Sequence, residues 1–245
     1  MSLATETEEV IHSQAAIRSI DILKPFFVSK IPLWKRTMDI IGAILGLILF
    51  APLMLLISLL IKMVSPGPIL FKQERVGFGG ELFQFLKFRT MKVNADTTKH
   101  QQYYEDLIKC SSSKDNLEKC MAKLDNSNTD IIPLGKILRN TCLDELPQLI
   151  SVLKGEMSLI GPRPPIFYEV EKYLRWHNGR FDSVPGMTGL WQVSGKNRLT
   201  FIQMVRLDVQ YSRRLSFWLD IKILLMTPVA VILHFMDGFQ KENRE

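Results

Sequence analysis

Two adjacent carboxylic acids, Asp144 and Glu145, form the sharpest chemical motif of this 245-residue sequence. Pro147 fits only the first turn of a helix and Gly155 is typical of a helix end, so we predict a short helix that begins near Asp144 or Glu145. Free backbone N–H groups and the helix dipole stabilise an ionised carboxylate at such a position by several tenths of a kcal/mol to about 1 kcal/mol. An ionised aspartate is the form that attacks phosphorus or holds a divalent cation. Aspartate is also a frequent helix cap, and that purely structural role is the alternative.

Basic residues that suit phosphate binding accompany this acidic pair along the chain. Arg139 precedes Asp144, and Arg163 lies in a proline-walled turn that would restrict its guanidinium. Lys87 and Arg89 stand at the end of an apolar segment. Arginine forms two-pronged contacts with phosphate, whereas lysine supplies a compact charge. Any one of these residues alone could be an ordinary surface cation, so the argument depends on their combination.

A long apolar segment predicts that the protein is held at a membrane. Residues 40–61 carry no charge, and as one helix they would extend about 33 Å, enough to cross a bilayer core. Ala51 and Pro52 lie at the centre, where proline favours a bend. Basic residues flank both ends, and such residues accumulate on the cytoplasmic side of a membrane. We therefore predict a re-entrant helix-break-helix hairpin over residues 35–64, with a single kinked spanning helix as the alternative.

Composition narrows the class of partner. The formal net charge of +6 favours anionic partners such as lipid head groups or phosphates. The sequence has no basic stripe with interleaved aromatic residues, so we predict no nucleic acid partner. Cys110, Cys120 and Cys142 lack C-x-x-C spacing, which indicates a reducing compartment without a disulfide framework or a zinc site. The polar, acidic start of the chain does not have the pattern of a cleaved signal peptide.

The remaining elements predict an α+β, mainly helical fold. Two aromatic-bearing segments around the glycine turn 77–80 predict a small antiparallel β-hairpin. Helical patterns cover residues 167–176 and 200–214. The C-terminal stretch is apolar but contains charges, which favours an interfacial amphipathic helix over a second span. The predicted order is an N-terminal lead-in (1–34), the re-entrant membrane hairpin (35–64) and a cytoplasmic catalytic domain (65–227) with a polar variable insert (94–130). An apolar interfacial helix (216–239) overlaps the end of this domain.

Several segments match, in order, the motifs of a known family. The sequence resembles the monotopic phosphoglycosyl transferases, the bacterial sugar transferases that act on polyprenyl phosphate, in their minimal form. The resemblance covers about residues 34–227. The matching segments are 35–39, 67–77, 87–91, 143–149, 154–164, 185–195 and 207–208.

The resemblance implies a reaction: transfer of a sugar 1-phosphate from a UDP-sugar to undecaprenyl phosphate with release of UMP, the first membrane step of polysaccharide or glycoconjugate synthesis. It implies that Asp144 attacks the sugar-bearing phosphate and becomes a covalent phosphosugar ester, and that Glu145 binds Mg²⁺. Such two-step chemistry should be ping-pong. The implied location is the bacterial inner membrane, among its phospholipids, with the catalytic domain facing the cytoplasm. We leave open a homodimer and the identity of the sugar.

The resemblance also implies substrate-binding roles for basic and polar residues. After the turn at residues 193–195 the family usually has arginine, whereas this chain has lysine there and an arginine two residues later. A lysine keeps the charge but loses the two-pronged contact. The expected phosphate- and substrate-binding residues are Lys87, Arg139, Arg163, Lys196, Arg198 and Asp208.

Matches around the apolar segment imply how the protein sits at the membrane. Ala51 and Pro52 match the region where the family breaks its membrane helix. Lys35, Arg36 and Asp39 precede it, and we expect these three to be anchors at the membrane interface.

A catalytically silent, membrane-anchored scaffold that recruits glycan-assembly partners is the alternative function. The acid pair and the arginine-bearing turns favour the enzyme.

Overall fold

A computed structural model describes residues 30–93, 130–195 and 199–242. Most of the lead-in (1–34) and nearly all of the insert (94–130) lie outside these residues. The described chain is mostly helical, with a small antiparallel sheet and a long apolar N-terminal helix. The α-helices are α1 (Leu33–Val64), α2 (Gly135–Asn140), α3 (Gln148–Lys154), α4 (Phe167–Val170), α5 (Leu190–Val193), α6 (Phe201–Arg213) and α7 (Phe217–Glu242). The strands are β1 (Leu70–Val76), β2 (Leu82–Phe88), β3 (Ser158–Ile160) and β4 (Gly186–Thr188), and short 3₁₀ helices occupy Phe78–Gly80, Leu143–Glu145 and Arg175–Asp182.

Helix α1 runs through Ala51 and Pro52 as one helix of 32 residues. No turn separates two halves, so the re-entrant hairpin stays a prediction. One stripe of α1 packs against the rest of the chain near both of its ends, and the other side presents large apolar side chains such as Leu49 (71% exposed) and Met63 (81% exposed). Both ends of α1 therefore contact the same globular body. The buried residues of the stripe are Lys35, Asp39, Ala43, Ile57 and Ile61.

An internal ion pair joins the beginning of α1 to α7. Lys35 Nζ donates to Asp220 Oδ2 at 2.7 Å and to the carbonyl oxygen of Ile160 at 2.9 Å. Tyr211 Oη donates to the other oxygen of Asp220 at 2.7 Å. Lys35 and Asp220 are 1% and 0% exposed. Asp220, one of the charges in the apolar C-terminal stretch, is thus paired inside the protein, so its charge does not indicate an interfacial helix.

Asp39 and Arg36 fasten α1 to the segment around α3. Asp39 Oδ1 accepts hydrogen bonds from Ser158 Oγ (2.8 Å) and the backbone N–H of Leu159 (2.9 Å). Arg36 donates to the carbonyl oxygens of Val152 and Leu153 in the last turn of α3, both at 2.6 Å. Lys35 and Asp39, expected as anchors at the membrane interface, are instead buried against the domain.

The predicted β-hairpin is confirmed. Strands β1 and β2 pair antiparallel from Leu70 opposite Phe88 to Val76 opposite Leu82. The connection contains Gly79 at φ 66°, a left-handed conformation that glycine adopts without steric cost. Phe85 and Phe88 of β2 enter two separate apolar clusters, one with Ala43 of α1 and one with Ile61. The hairpin is therefore packed onto the same stripe of α1 that is buried.

A second, parallel pair of strands was not predicted. Residues 158–160 and 186–188 pair in parallel. The backbones approach so closely that a Cβ on Gly186 would lie 2.0 Å from the backbone nitrogen of Gly161. Turn-forming glycines in this region therefore serve close strand contact.

The helix predictions met different outcomes. The one over 200–214 is confirmed by α6, whose N-terminus has a capping box between Thr200 and Gln203. The one over 167–176 is wrong beyond α4, which ends at Val170. Among the residues that the structure describes, two helices, α1 and residues 217–237 of α7, are long and apolar enough to cross a membrane. Their exposed apolar surfaces indicate membrane association.

Candidate active site

Asp144 and Glu145 lie in a tight 3₁₀ turn (Leu143–Glu145) that precedes α3. Cys142, just before this turn, has φ 56° and is the only non-glycine residue with positive φ in the described ranges. Pro147 then caps α3, which begins at Gln148. The predicted helix start at Asp144 or Glu145 is therefore wrong by a few residues, because the proline sets the start of the regular helix. Strained backbone of this kind is frequent at functional sites.

The carboxyl group of Asp144 is buried, and this reverses the expected effect of the helix dipole. Burial and the neighbouring Glu145 raise the pKa of Asp144 to about 6, while the charges of Lys87 and Arg139 lower it. The group is thus still mainly ionised at neutral pH, but less readily than a free aspartate. We call Asp144, Glu145, Lys87 and Arg139 the Asp144 cluster.

Lys87 and Arg139 reach this cluster from two different elements. Lys87 lies near the end of β2. Burial lowers its pKa to about 8, whereas the negative charge of Asp144 raises it. Arg139, in α2, donates from Nε to Thr90 Oγ1 at 2.9 Å. A cavity of about 420 Å³ is lined by both cations. The structure therefore brings together four of the predicted site residues.

Arg89 lines the same cavity but has a structural task. Its guanidinium donates to the carbonyl oxygens of Pro66 and Ser65, each at 2.8 Å. These bonds hold the turn that connects α1 to β1. The remaining cations of the cavity are Lys87 and Arg139, together with Lys72 and Lys92.

Arg163 and Asp208 belong to a second buried group, which we call the Arg180 cluster (Arg163, Glu169, Tyr173, Arg180 and Asp208). Arg180 donates to the carboxylate of Asp208, to Tyr173 Oη and to the carbonyl oxygen of Arg163. Burial raises the pKa of Asp208 to about 7, whereas Arg180 and Arg163 lower it. Arg163 also lowers the pKa of Glu169, whereas the pKa of Asp144 responds to burial, Glu145, Lys87 and Arg139. A phosphate-binding role for Arg163 stays a prediction.

Arg75 connects the two groups, and sequence reasoning missed it. Its Nη1 donates to the carbonyl oxygen of Pro164 at 2.7 Å, and its guanidinium stacks 4.5 Å from the centre of the Phe85 ring. Its charge lowers the pKa of both Lys87 and Glu169. The available signal was an arginine near the end of a β-prone segment. For Arg180, in an Asn-Gly-Arg sequence, the sequence offered no signal.

Comparison with known proteins places the chain in a family. A family model described as "Bacterial sugar transferase" matches residues 30–234. The chain belongs to this family.

Individual relatives of this bacterial sugar transferase have informative names. It is 43% identical over 200 residues to the galactosyl transferase CpsE of Streptococcus agalactiae, covering 81% of this chain and 42% of that protein. It is 37% identical over 199 residues to the exopolysaccharide production protein ExoY of Rhizobium meliloti, covering 81% of this chain and 85% of that one. A UDP-glucose:undecaprenyl-phosphate glucose-1-phosphate transferase of Caulobacter vibrioides is 38% identical over 210 residues, with 82% of this chain and 71% of that protein covered. The chain thus spans under half of one of these relatives and most of the other two.

Two predicted phosphate ligands of the transferase cannot be located. Lys196 and Arg198 lie outside the residues that the structure describes. The helix α5 that precedes them packs its Trp191 into the interior, at 5% exposure.

The donor set near Asp144 is compatible with Mg²⁺ that also contacts substrate. Within 30–93, 130–195 and 199–242 there is no group of three or more acidic, histidine or cysteine side chains that could enclose a metal ion. Mg²⁺ commonly takes only one or two carboxylates and completes its shell with phosphate oxygens and water. Asp144 and Glu145 can supply that number. The residues present therefore fit an ion shared with a diphosphate.

Proposed function

We propose that this sugar transferase moves a sugar 1-phosphate from a UDP-sugar to undecaprenyl phosphate and releases UMP. The carboxylate of Asp144 attacks the sugar-bearing phosphorus, the bond from that phosphorus to the bridging oxygen breaks, and UMP leaves. A phosphate oxygen of the lipid then attacks the same phosphorus. That second step forms the lipid diphosphate sugar and regenerates the carboxylate.

One observation carries the proposal: a buried carboxylate beside two cations that also line a cavity of about 420 Å³. A diphosphate repels a carboxylate nucleophile, so positive charge must lie at the point of attack. Lys87 and Arg139 supply it from β2 and α2. The identities of the donor and acceptor rest on the printed names of relatives, including the glucose-1-phosphate transferase above.

We propose Glu145 as the carboxylate that holds Mg²⁺. When bound, the ion would neutralise charge on the phosphate oxygens. Glu145 adjoins Asp144, so a shared ion would hold the phosphate beside the nucleophile. A Glu145→Gln variant should lose binding of Mn²⁺, used as a paramagnetic substitute and followed by its electron spin resonance signal. Unchanged Mn²⁺ binding would assign the ion to other residues.

We also propose that α1 enters and leaves the membrane on the cytoplasmic face. The support is that both of its ends contact the same body, through Lys35 near the start and Ile61 near the end, whereas a spanning helix would carry one end away from it. Single cysteines at Lys30 and Val93, in an otherwise cysteine-free protein, should both react only with a thiol reagent applied from the cytoplasm. Labelling of the two sites from opposite sides would contradict this topology and leave the chemistry untouched.

The chemistry is tested without acceptor. Purified enzyme with Mg²⁺ and a panel of UDP-sugars should release about one UMP per active site with the correct donor, and an intact-mass shift equal to a sugar phosphate should map to the peptide with Asp144. Asp144→Asn should abolish both signals.

Glu171→Gln serves as the control, since it removes an exposed acid outside the Asp144 cluster. UMP release that always requires the acceptor, or a burst that survives in Asp144→Asn, would contradict the covalent mechanism. No UMP from any donor, even with acceptor present, would favour a silent scaffold.

A further inference from the structure

A second cavity, of about 440 Å³, lies between the membrane helix and the catalytic elements. Met54 and Ser58 of α1 line one side, and Phe88 of β2 lines another. Pro147 and Ile150 close it from the segment that follows Asp144. We call this cavity the apolar groove. Its walls thus come from the anchor, from β2, which carries Lys87, and from the segment that follows Asp144.

The surface of the apolar groove is almost entirely non-polar. Ser58, a polar residue in its wall, donates its hydroxyl to the carbonyl oxygen of Met54 at 2.7 Å, so its hydrogen bond is made inside the helix. Methionine is flexible and adapts to irregular apolar ligands. A branched hydrocarbon chain is the ligand class that such a surface accommodates.

The apolar groove and the basic cavity share a wall. Pro68, Leu70 and Lys72 line both. One side of this wall is therefore hydrocarbon-like, and the other contains Lys87 and Arg139. A ligand that crosses the wall must be apolar at one end and anionic at the other.

Lys72 is the cation at this boundary. Its side chain is exposed on β1 and makes no hydrogen bond or ion pair with any residue that the structure describes. Lys72 can therefore turn toward a ligand without breaking an internal contact. A lysine ammonium supplies a compact charge for a phosphate.

We propose that the apolar groove seats the first isoprenoid units of the polyprenyl phosphate acceptor, with Lys72 contacting its phosphate on the way to Asp144. This inference rests on the proposed function. The isoprenoid chain leaves one apolar medium, the bilayer, for another. The apolar groove therefore fixes the position of the isoprenoid chain more than it adds affinity. Lys72 contributes the attraction, and its loss should affect the acceptor step and spare the donor step.

The kinetic experiment separates the two half-reactions. For Lys72→Gln we expect the KM for undecaprenyl phosphate in nanodiscs to rise about tenfold, the equivalent of about 1.4 kcal/mol. The acceptor-free UMP burst should stay within about twofold of wild type. Lys72→Arg should restore the acceptor KM, and Lys172→Gln, which removes an exposed cation outside both cavities, should leave it unchanged.

Photo-crosslinking locates the bound isoprenoid chain directly. An undecaprenyl phosphate analogue with a diazirine on its first isoprene unit should label peptides that contain residues 54–58 or 147–150. Undecaprenyl phosphate should compete with the label, and phosphatidylglycerol should not. Labelling elsewhere, or equal competition by the phospholipid, would overturn the groove as the acceptor site.

The outcomes distinguish this inference from the proposed function on which it rests. A normal burst with an unchanged acceptor KM in Lys72→Gln would overturn the role of Lys72 in acceptor binding alone. Loss of the burst in Lys72→Gln would assign Lys72 to donor binding and would also overturn its role in acceptor binding. A wild-type protein that releases no UMP from any donor would overturn both proposals.

Discussion

Replacing Asp144 by asparagine should inactivate the protein and, at the same time, stabilise it. Burial and Glu145 raise the pKa of this carboxyl from 3.8 to about 6. A difference of roughly two pKa units corresponds to roughly 3 kcal/mol of unfavourable free energy for the charged form in the folded state. Asparagine is isosteric and carries no charge to bury.

The net gain in unfolding free energy is smaller than this figure, because Lys87 loses the carboxylate that stabilises its own charge. We expect a net stabilisation of about 1–2 kcal/mol at pH 8. For a chain of this size that corresponds to a rise in Tm of roughly 2–8 °C.

The pH dependence follows from the raised pKa of Asp144. The unfolded chain releases this proton near pH 3.8, whereas the folded chain keeps it until about pH 6. The loss of folding free energy caused by the buried charge of Asp144 is therefore absent below about pH 4, develops between the two pKa values, and is complete above about pH 6. The advantage of Asp144→Asn should follow the same course.

The assay is thermal unfolding followed by tryptophan fluorescence in one detergent, at several pH values between 4.5 and 8. Glu171→Gln is the control, because an exposed acid has no burial penalty to relieve. A lower Tm for Asp144→Asn at pH 8, or a shift that is equal at pH 4.5 and pH 8, would refute the reasoning from burial.

Three further outcomes are expected. The kcat/KM for the donor should be bell-shaped, rising through pH 6 as Asp144 ionises and falling through pH 8 as Lys87 loses its proton; Lys87→Met should remove the alkaline limb and move the acid limb upward, and an unshifted acid limb would argue against their proximity. Arg139→Lys keeps the charge but loses the guanidinium and its Nε bond to Thr90, so kcat should fall about tenfold with at most a small fall in Tm; a large fall in Tm with an unchanged kcat would indicate a structural role instead. Lys35→Met leaves Asp220 buried without its cation and should cost about 3–5 kcal/mol of unfolding free energy, measured by denaturant unfolding; adding Asp220→Leu should recover much of it, and failure to do so would mean that packing, not charge, is responsible.

Features encoded by neighbouring residues could be predicted from the sequence. Glycines 77–80 between two β-prone segments specify a hairpin, and Gly155 specifies the end of α3, with φ 90°. The predicted association of Lys87 and Arg139 with Asp144 agrees with their electrostatic coupling in the structure. The start of α3 was missed because Pro147 allows both a 3₁₀ turn before it and a helix after it.

Features that depend on distant partners could not be predicted. Lys35 and Asp220 are 185 residues apart, and each by itself resembles a charge placed at a membrane surface. The pKa of Asp144 was misjudged for the same reason, since a local helix dipole is visible in the sequence but burial by remote segments is not. The parallel pairing of β3 with β4 likewise involves segments with no local pairing signal.

The attachment of α1 has a consequence for engineering. Arg36 completes the end of α3, Asp39 orders Ser158 and Leu159, and a Cβ at Gly42 would lie 2.5 Å from the side chain of Leu159. These contacts make the anchor an integral piece of the enzyme and not an interchangeable tether. A chimaera that carries a generic hydrophobic helix would reach the bilayer yet leave the segment after Asp144 without its support. Soluble versions must therefore redesign these contacts instead of deleting them.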